Sequence, residues 1–147
     1  MLFSDAKGHK VVSTSTAQTV GKVASFVVDP ATRKVVAVRI KKADSGDTLR
    51  WDRLVAFGVD AVTVTAADAI TSADPAVEAL TGKDHRILGK RVLTGRGDEL
   101  GTVEDVEFDA ATGAVTTLLL AGSRAVDRVD GDRLVGVGPW AVVVRAE

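Results

Sequence analysis

The stretch GKVASFVVDPATRKVVAVRI, residues 21–40, returns as GTVEDVEFDAATGAVTTLLL at 101–120. Gly21 aligns with Gly101, Val23 with Val103, Asp29 with Asp109, Thr32 with Thr112 and Val35 with Val115, all at an offset of 80 and without a gap. The match resumes where WDRLVAFGVDAVTV meets GDRLVGVGPWAVVV, pairing Asp52, Arg53, Leu54 and Val55 with Asp132, Arg133, Leu134 and Val135. A period this long exceeds that of a solenoid unit and suits a small domain. In a chain of 147 residues it leaves room for two copies and little else.

Within each copy the pattern is that of strands. Ala24, Phe26 and Val28 alternate with Val23, Ser25 and Val27, while Val36, Val38 and Ile40 alternate with Arg39 and Lys41. Aromatic residues are scarce, with four Phe, two Trp and no Tyr, so an aliphatic core of Val, Leu, Ile and Ala is expected. DPATR and DAATG read as hairpin turns. Asp29 can accept an N–H two residues on, Pro30 presets φ, and Gly113 supplies a left-handed residue. Asp29, Thr32, Asp109 and Thr112 are therefore turn residues rather than catalytic ones. Between the copies, Asp74 followed by Pro75 predicts an N-cap and first helical position, AVEAL favours helix and Gly82 stops it.

The layout GHKVVSTSTAQTVGKVASFVVDPATRKVVAVRI, closing with DRLVAFGVDAVTV and repeated from Gly89 through Val144, resembles the PRC-barrel domain family. That domain occurs in the photosynthetic reaction-centre H subunit and in ribosome-maturation factors of the RimM type. The resemblance implies a mainly β fold: two tandem small antiparallel barrels, 1–68 and 87–147, joined by a linker at 69–86 with a short helix. It also implies a docking or assembly module. A non-enzymatic, protein-binding role with an unidentified partner is the expectation, and an accessory role in ribosome maturation or RNA–protein assembly is the alternative.

The search for chemistry returns no catalytic residue, cofactor site or metal site. Cysteine is absent, which removes thiolate chemistry and disulfides. His9 and His85 lack metal-ligand spacing. Asp105, Glu107 and Asp109 share one face of a strand, with Val106 and Phe108 on the other, and same-face spacing near 7 Å is too wide for a compact cation site. An acidic stripe facing solvent or a partner is expected instead. Arg96 to Glu99 read as a turn. No signal-like N-terminus and no run of eighteen apolar residues occurs, so a cytoplasmic protein with no membrane span is expected.

The copies differ in charge. Residues 1–69 hold ten Lys and Arg against seven Asp, a net +3, and residues 70–147 hold nine against thirteen, a net -4. The overall -1 and the lack of a basic arm make nucleic acid an unexpected partner. Opposite net charges favour packing between the copies or head-to-tail contact between chains. Strand alternation turns Arg39 and Lys41 outward in the first copy and Leu119 and Ala121 outward in the second. Leu119 beside Val115 is thus expected to form an apolar patch that packs on the first barrel or on another subunit, which leaves homo-oligomerisation through the second copy open. The candidate partner surface comprises Arg39, Lys41, Lys42, Arg50, Trp51, Leu119, Trp140, Asp105 and Glu107. An exposed tryptophan would be the best single anchor.

Overall fold

A computed structural model describes residues 1–122 and 126–146. A one-turn helix, α1 (Phe3–Ala6), precedes the first copy, which runs β1 (Lys10–Ser13), β2 (Thr19–Asp29), β3 (Lys34–Lys41), β4 (Thr48–Arg50), β5 (Leu54–Phe57) and β6 (Ala61–Val64). Then come β7 (Ile70–Thr71) and α2 (Pro75–Glu78). The second copy runs β8 (Arg91–Thr94), β9 (Glu99–Phe108), β10 (Val115–Ala121), β11 (Arg128–Asp130), β12 (Leu134–Val137) and β13 (Ala141–Val144). The fold is mainly β, in two barrel-like units, and no helix among the described residues is long and apolar enough to cross a membrane.

The first sheet has the order β5-β6-β1-β2-β3-β4-β7 and the second β11-β10-β9-β8-β13-β12. Each sheet is antiparallel except for one parallel pair. β1 runs parallel to β6, and β8 parallel to β13, because the opening strand of each copy inserts beside its closing strand across a long connection. The simple alternation expected along β2 is broken. Register shifts fall between Val23 and Ser25 and between Val27 and Val28; Val23 and Val28 are buried in the main core, and the adjacent Val27 is buried in a separate cluster.

The outward side of the first hairpin is covered. Val27, Ala37 and Val77 form a small second cluster in which α2 lies on β2 and β3. Asp74 caps this helix, accepting the Val77 N–H at 2.9 Å, and Pro75 occupies its first turn as the sequence predicts. The strand Ile70–Thr71, which falls in the stretch read as linker, adds to β4 and carries the first sheet up to α2.

The close approach of β7 to the segment leading into β4 depends on a glycine. A Cβ on Gly46 would lie 2.3 Å from the carbonyl carbon of Thr71, so β7 approaches β4 only because position 46 has no side chain. The repeat places Val126 there in the second copy, where it packs half-buried against the core.

The two copies join through one continuous core, which includes Val23, Val38 and Leu49 of the first and Val106, Phe108 and Leu118 of the second. The junction is a pseudo-two-fold axis. Lys34 forms a bridge with Ala114, its own equivalent in the repeat. The Val35 N–H donates to the Gly113 carbonyl at 2.8 Å and the Val115 N–H to the Arg33 carbonyl at 2.9 Å. Such reciprocal exchange is the signature of an isologous contact. Arg33 and Gly113 both adopt left-handed backbone, at φ 58° and 81°. The sequence read these turns as different solutions, and the conformation is shared. What differs is the space: a Cβ on Gly113 would meet the Trp51 ring at 3.0 Å, whereas Arg33 sends its Nε to the Leu134 carbonyl at 2.8 Å.

Aromatic residues concentrate at this axis. Phe108 of the second copy has ring centroids of Phe3, Phe26, Phe57 and Trp51 within 5.4 to 6.2 Å. The N-terminal segment also crosses over: Leu2 bridges Glu107, Met1 exchanges hydrogen bonds with Phe108, and the Ser4 N–H and hydroxyl both donate to Asp105.

Candidate interaction surface

Strand register, rather than sequence proximity, assembles the most distinctive surface of the first copy. Lys10 on β1 stands opposite Lys22 on β2, and Lys22 stands opposite Lys41 on β3. Directly opposed residues share a face, so three lysines form one row across three strands at spacings of about 5 Å. Among the described residues no carboxylate pairs with any of them. Lys42, left-handed at φ 58° and exposed, extends the cationic end of β3.

Like charges directly opposed destabilise a sheet by roughly 0.2–1 kcal/mol per pair. Lys22→Gln should therefore raise the thermal midpoint by relieving both contacts of the row, whereas a lower midpoint would show that Lys22 carries packing its charge does not explain. The equivalent row in the second copy is Arg91, Thr102 and Ala121, linked by the same pairings.

The other predicted cations are engaged. Arg39, half-buried, forms an ion pair with Asp47 at 2.9 Å. Arg50 binds Asp74 and Asp52, whose negative charges hold its guanidinium above the ordinary value, Asp52 first. Arg50 thus ties α2 to β4 and is an internal strut. The Val77 N–H, and then Arg50, push the Asp74 carboxyl below its ordinary 3.8, with desolvation opposing them. A lowered folded pKa means the contribution is present above 3.8 and disappears as pH falls through the lower folded value. The Val77 amide resonance should accordingly titrate with a midpoint below 3.8. A midpoint at or above that value would contradict the cap.

Asp105 and Glu107 have separate fates. Asp105 is occupied by Ser4 at the start of α1. Glu107 is exposed beside the Thr116 hydroxyl, which donates to its Oε1 at 3.3 Å, and it stands opposite Thr117, which in turn stands opposite Asp130. The corresponding first-copy row is Val27, Ala37 and Arg50, covered by α2 over Val27 and Ala37. The polar substitution in the second copy therefore follows from what covers each hairpin.

Leu119 is half-buried, opposite Asp105 and Arg128, while Val115 is buried at the axis. The two do not form one outward patch, because the ladder slips between Val115 and Thr117. The part of β10 that meets the first copy is its Val115 end. Trp51 is half-buried and stacks on Phe57 at 5.8 Å, part of the shared core. Trp140 is 61% exposed, in the turn between β12 and β13, with the Arg91 guanidinium over its ring at 4.4 Å.

The His9 Nε2–H donates to the Val59 carbonyl oxygen at 2.8 Å and the ring stacks near Phe57, a structural placement. Among the described residues no group of three His, Cys, Asp or Glu could hold a metal. Sequence reasoning singled out Lys41 and Lys42 and missed Lys10 and Lys22. Each occupies an outward position of its own strand, and only the pairing of those strands makes a row of them.

The description PRC-barrel domain matches residues 1–75 and again 82–146. The chain belongs to the PRC-barrel domain family, and it carries two copies of that domain. No curated protein matches it significantly.

Proposed function

We propose that this protein is a non-enzymatic binding or assembly module, in which two PRC-barrel copies form one rigid body that presents two unlike faces. The observation that carries this reading is the pseudo-two-fold axis. One core fixes both copies, and sequence differences that do not serve that core fall on outward rows, lysines on one copy and carboxylates on the other. Its work is recognition of a protein partner rather than a reaction, and Trp140 with Arg91 offers an additional aromatic anchor.

Affinity capture from native lysate tests this reading, with Lys22→Glu/Lys41→Glu and Trp140→Ala variants run beside the wild type. A protein recovered in stoichiometric amount by the wild type and lost with at least one variant is the expected result. Recovery of the same set by every variant, or of nothing above background, would count against the reading.

A further inference from the structure

We propose that the lysine row of the first copy docks on the carboxylate row of the second copy in another molecule of this chain, giving a heterologous, head-to-tail contact. Lys10, Lys22 and Lys41 lie across three adjacent strands, and Glu107, Thr117 and Asp130 lie across three adjacent strands. The outer members of each row are separated by two strand spacings, about 10 Å. The two rows match in span and oppose in charge.

No ion pair joins the rows within one chain among the described residues. The shared core fixes them on one body, so neither row can reach the other by domain rearrangement without breaking that core. The partner that offers a matching row is thus a second copy. The same polarity argues against a nucleic-acid strand: a body with net -4 on residues 70–147 repels phosphates brought to its cationic end, and no aromatic side chain stands in the lysine row for a base to stack on. The row is made of lysines, which act as point charges and set association through the field rather than through forked hydrogen bonds. Because the two surfaces are different, the contact propagates or closes into a ring rather than stopping at a two-fold dimer.

This inference deepens the binding-module reading by naming one partner, and its failure is separable from that reading, since a different protein could still be captured through either face. Sedimentation equilibrium of the full chain at about 20 mM and about 300 mM salt is the test. The weight-average mass should rise by about 1.5-fold or more at low salt with roughly 0.1 mM protein, and return to the monomer value at high salt. Lys10→Glu/Lys22→Glu/Lys41→Glu should stay monomeric, as should Glu107→Lys/Asp130→Lys, and an equimolar mixture of the two should associate again. The milder Lys10→Gln/Lys22→Gln/Lys41→Gln covers the case in which reversal disturbs folding, and should also remain monomeric. A wild type that stays monomeric at low salt overturns the proposal. So does association that survives the lysine changes, or that the mixture fails to restore. Poly-uridylate or inorganic polyphosphate binding through the lysines by a wild type that does not self-associate would overturn it in favour of a polyanion.

Discussion

Phe108→Ala should cost about 3–5 kcal/mol, the range for removing a fully buried phenylalanine. Phe108 is 1% exposed, and the four rings around it all belong to residues 1–57 although Phe108 itself closes β9 of the second copy. The variant therefore removes the main hydrophobic tie across the pseudo-two-fold axis. In urea titrations the tryptophan fluorescence, to which Trp51 at that tie contributes, and the far-ultraviolet circular dichroism should shift together to lower denaturant. The repeat places Val28 at the equivalent position of the first copy, so Phe108→Val should lose less. A loss below about 1 kcal/mol for the alanine variant would mean that the ring is replaceable and the junction weak.

Gly131→Ala is the other severe change. A Cβ there would lie 2.0 Å from the Val115 carbonyl oxygen and 2.6 Å from its carbon, both backbone atoms that cannot rotate away. The turn at Gly131–Arg133 would have to lift off β10, at a cost of about 3 kcal/mol or more, beyond most overpacking substitutions. Because Val115 is also the residue that bonds Arg33 across the axis, the damage should pass to the junction. Exchange of the Val115 amide should accelerate relative to amides of β13. Stability within about 0.5 kcal/mol of the wild type would contradict the tight approach.

The first copy carries Trp51 where the second carries Gly131, and this pair shows what one sequence cannot disclose. The repeat at offset 80 made two copies, their strands and their hairpin turns legible, because those depend on local patterning and on Asp29 and Asp109, whose carboxylates do accept the N–H groups of Ala31 and Ala111. Asp74 and Pro75 were legible for the same reason. The crossing of Met1 to Ser4 onto β9 was not, since long-range pairing leaves no periodic trace. Nor were the parallel pairings of β1 with β6 and of β8 with β13, which depend on how each barrel closes.

The lysine row belongs to the same class of hidden feature. Lys10, Lys22 and Lys41 are separated by 12 and 19 positions, and only the register brings them together. Bulges complicate the matter further: the slip in β10 parts Leu119 from Val115, although strict alternation puts them on one side. Arg39 and Arg50 looked as available as Lys41, yet Asp47 and Asp74 claim them. Pattern identifies outward positions well, but availability depends on neighbours that pattern does not name.

Everything proposed for the two faces rests on their being fixed to one body, and differential scanning calorimetry of the wild type tests that most directly. One transition is expected, with calorimetric and van't Hoff enthalpies equal and an enthalpy of about 100 kcal/mol for a chain of this length. Two resolved transitions, each carrying about half of that heat, would show that the copies melt as independent domains and would contradict a shared core.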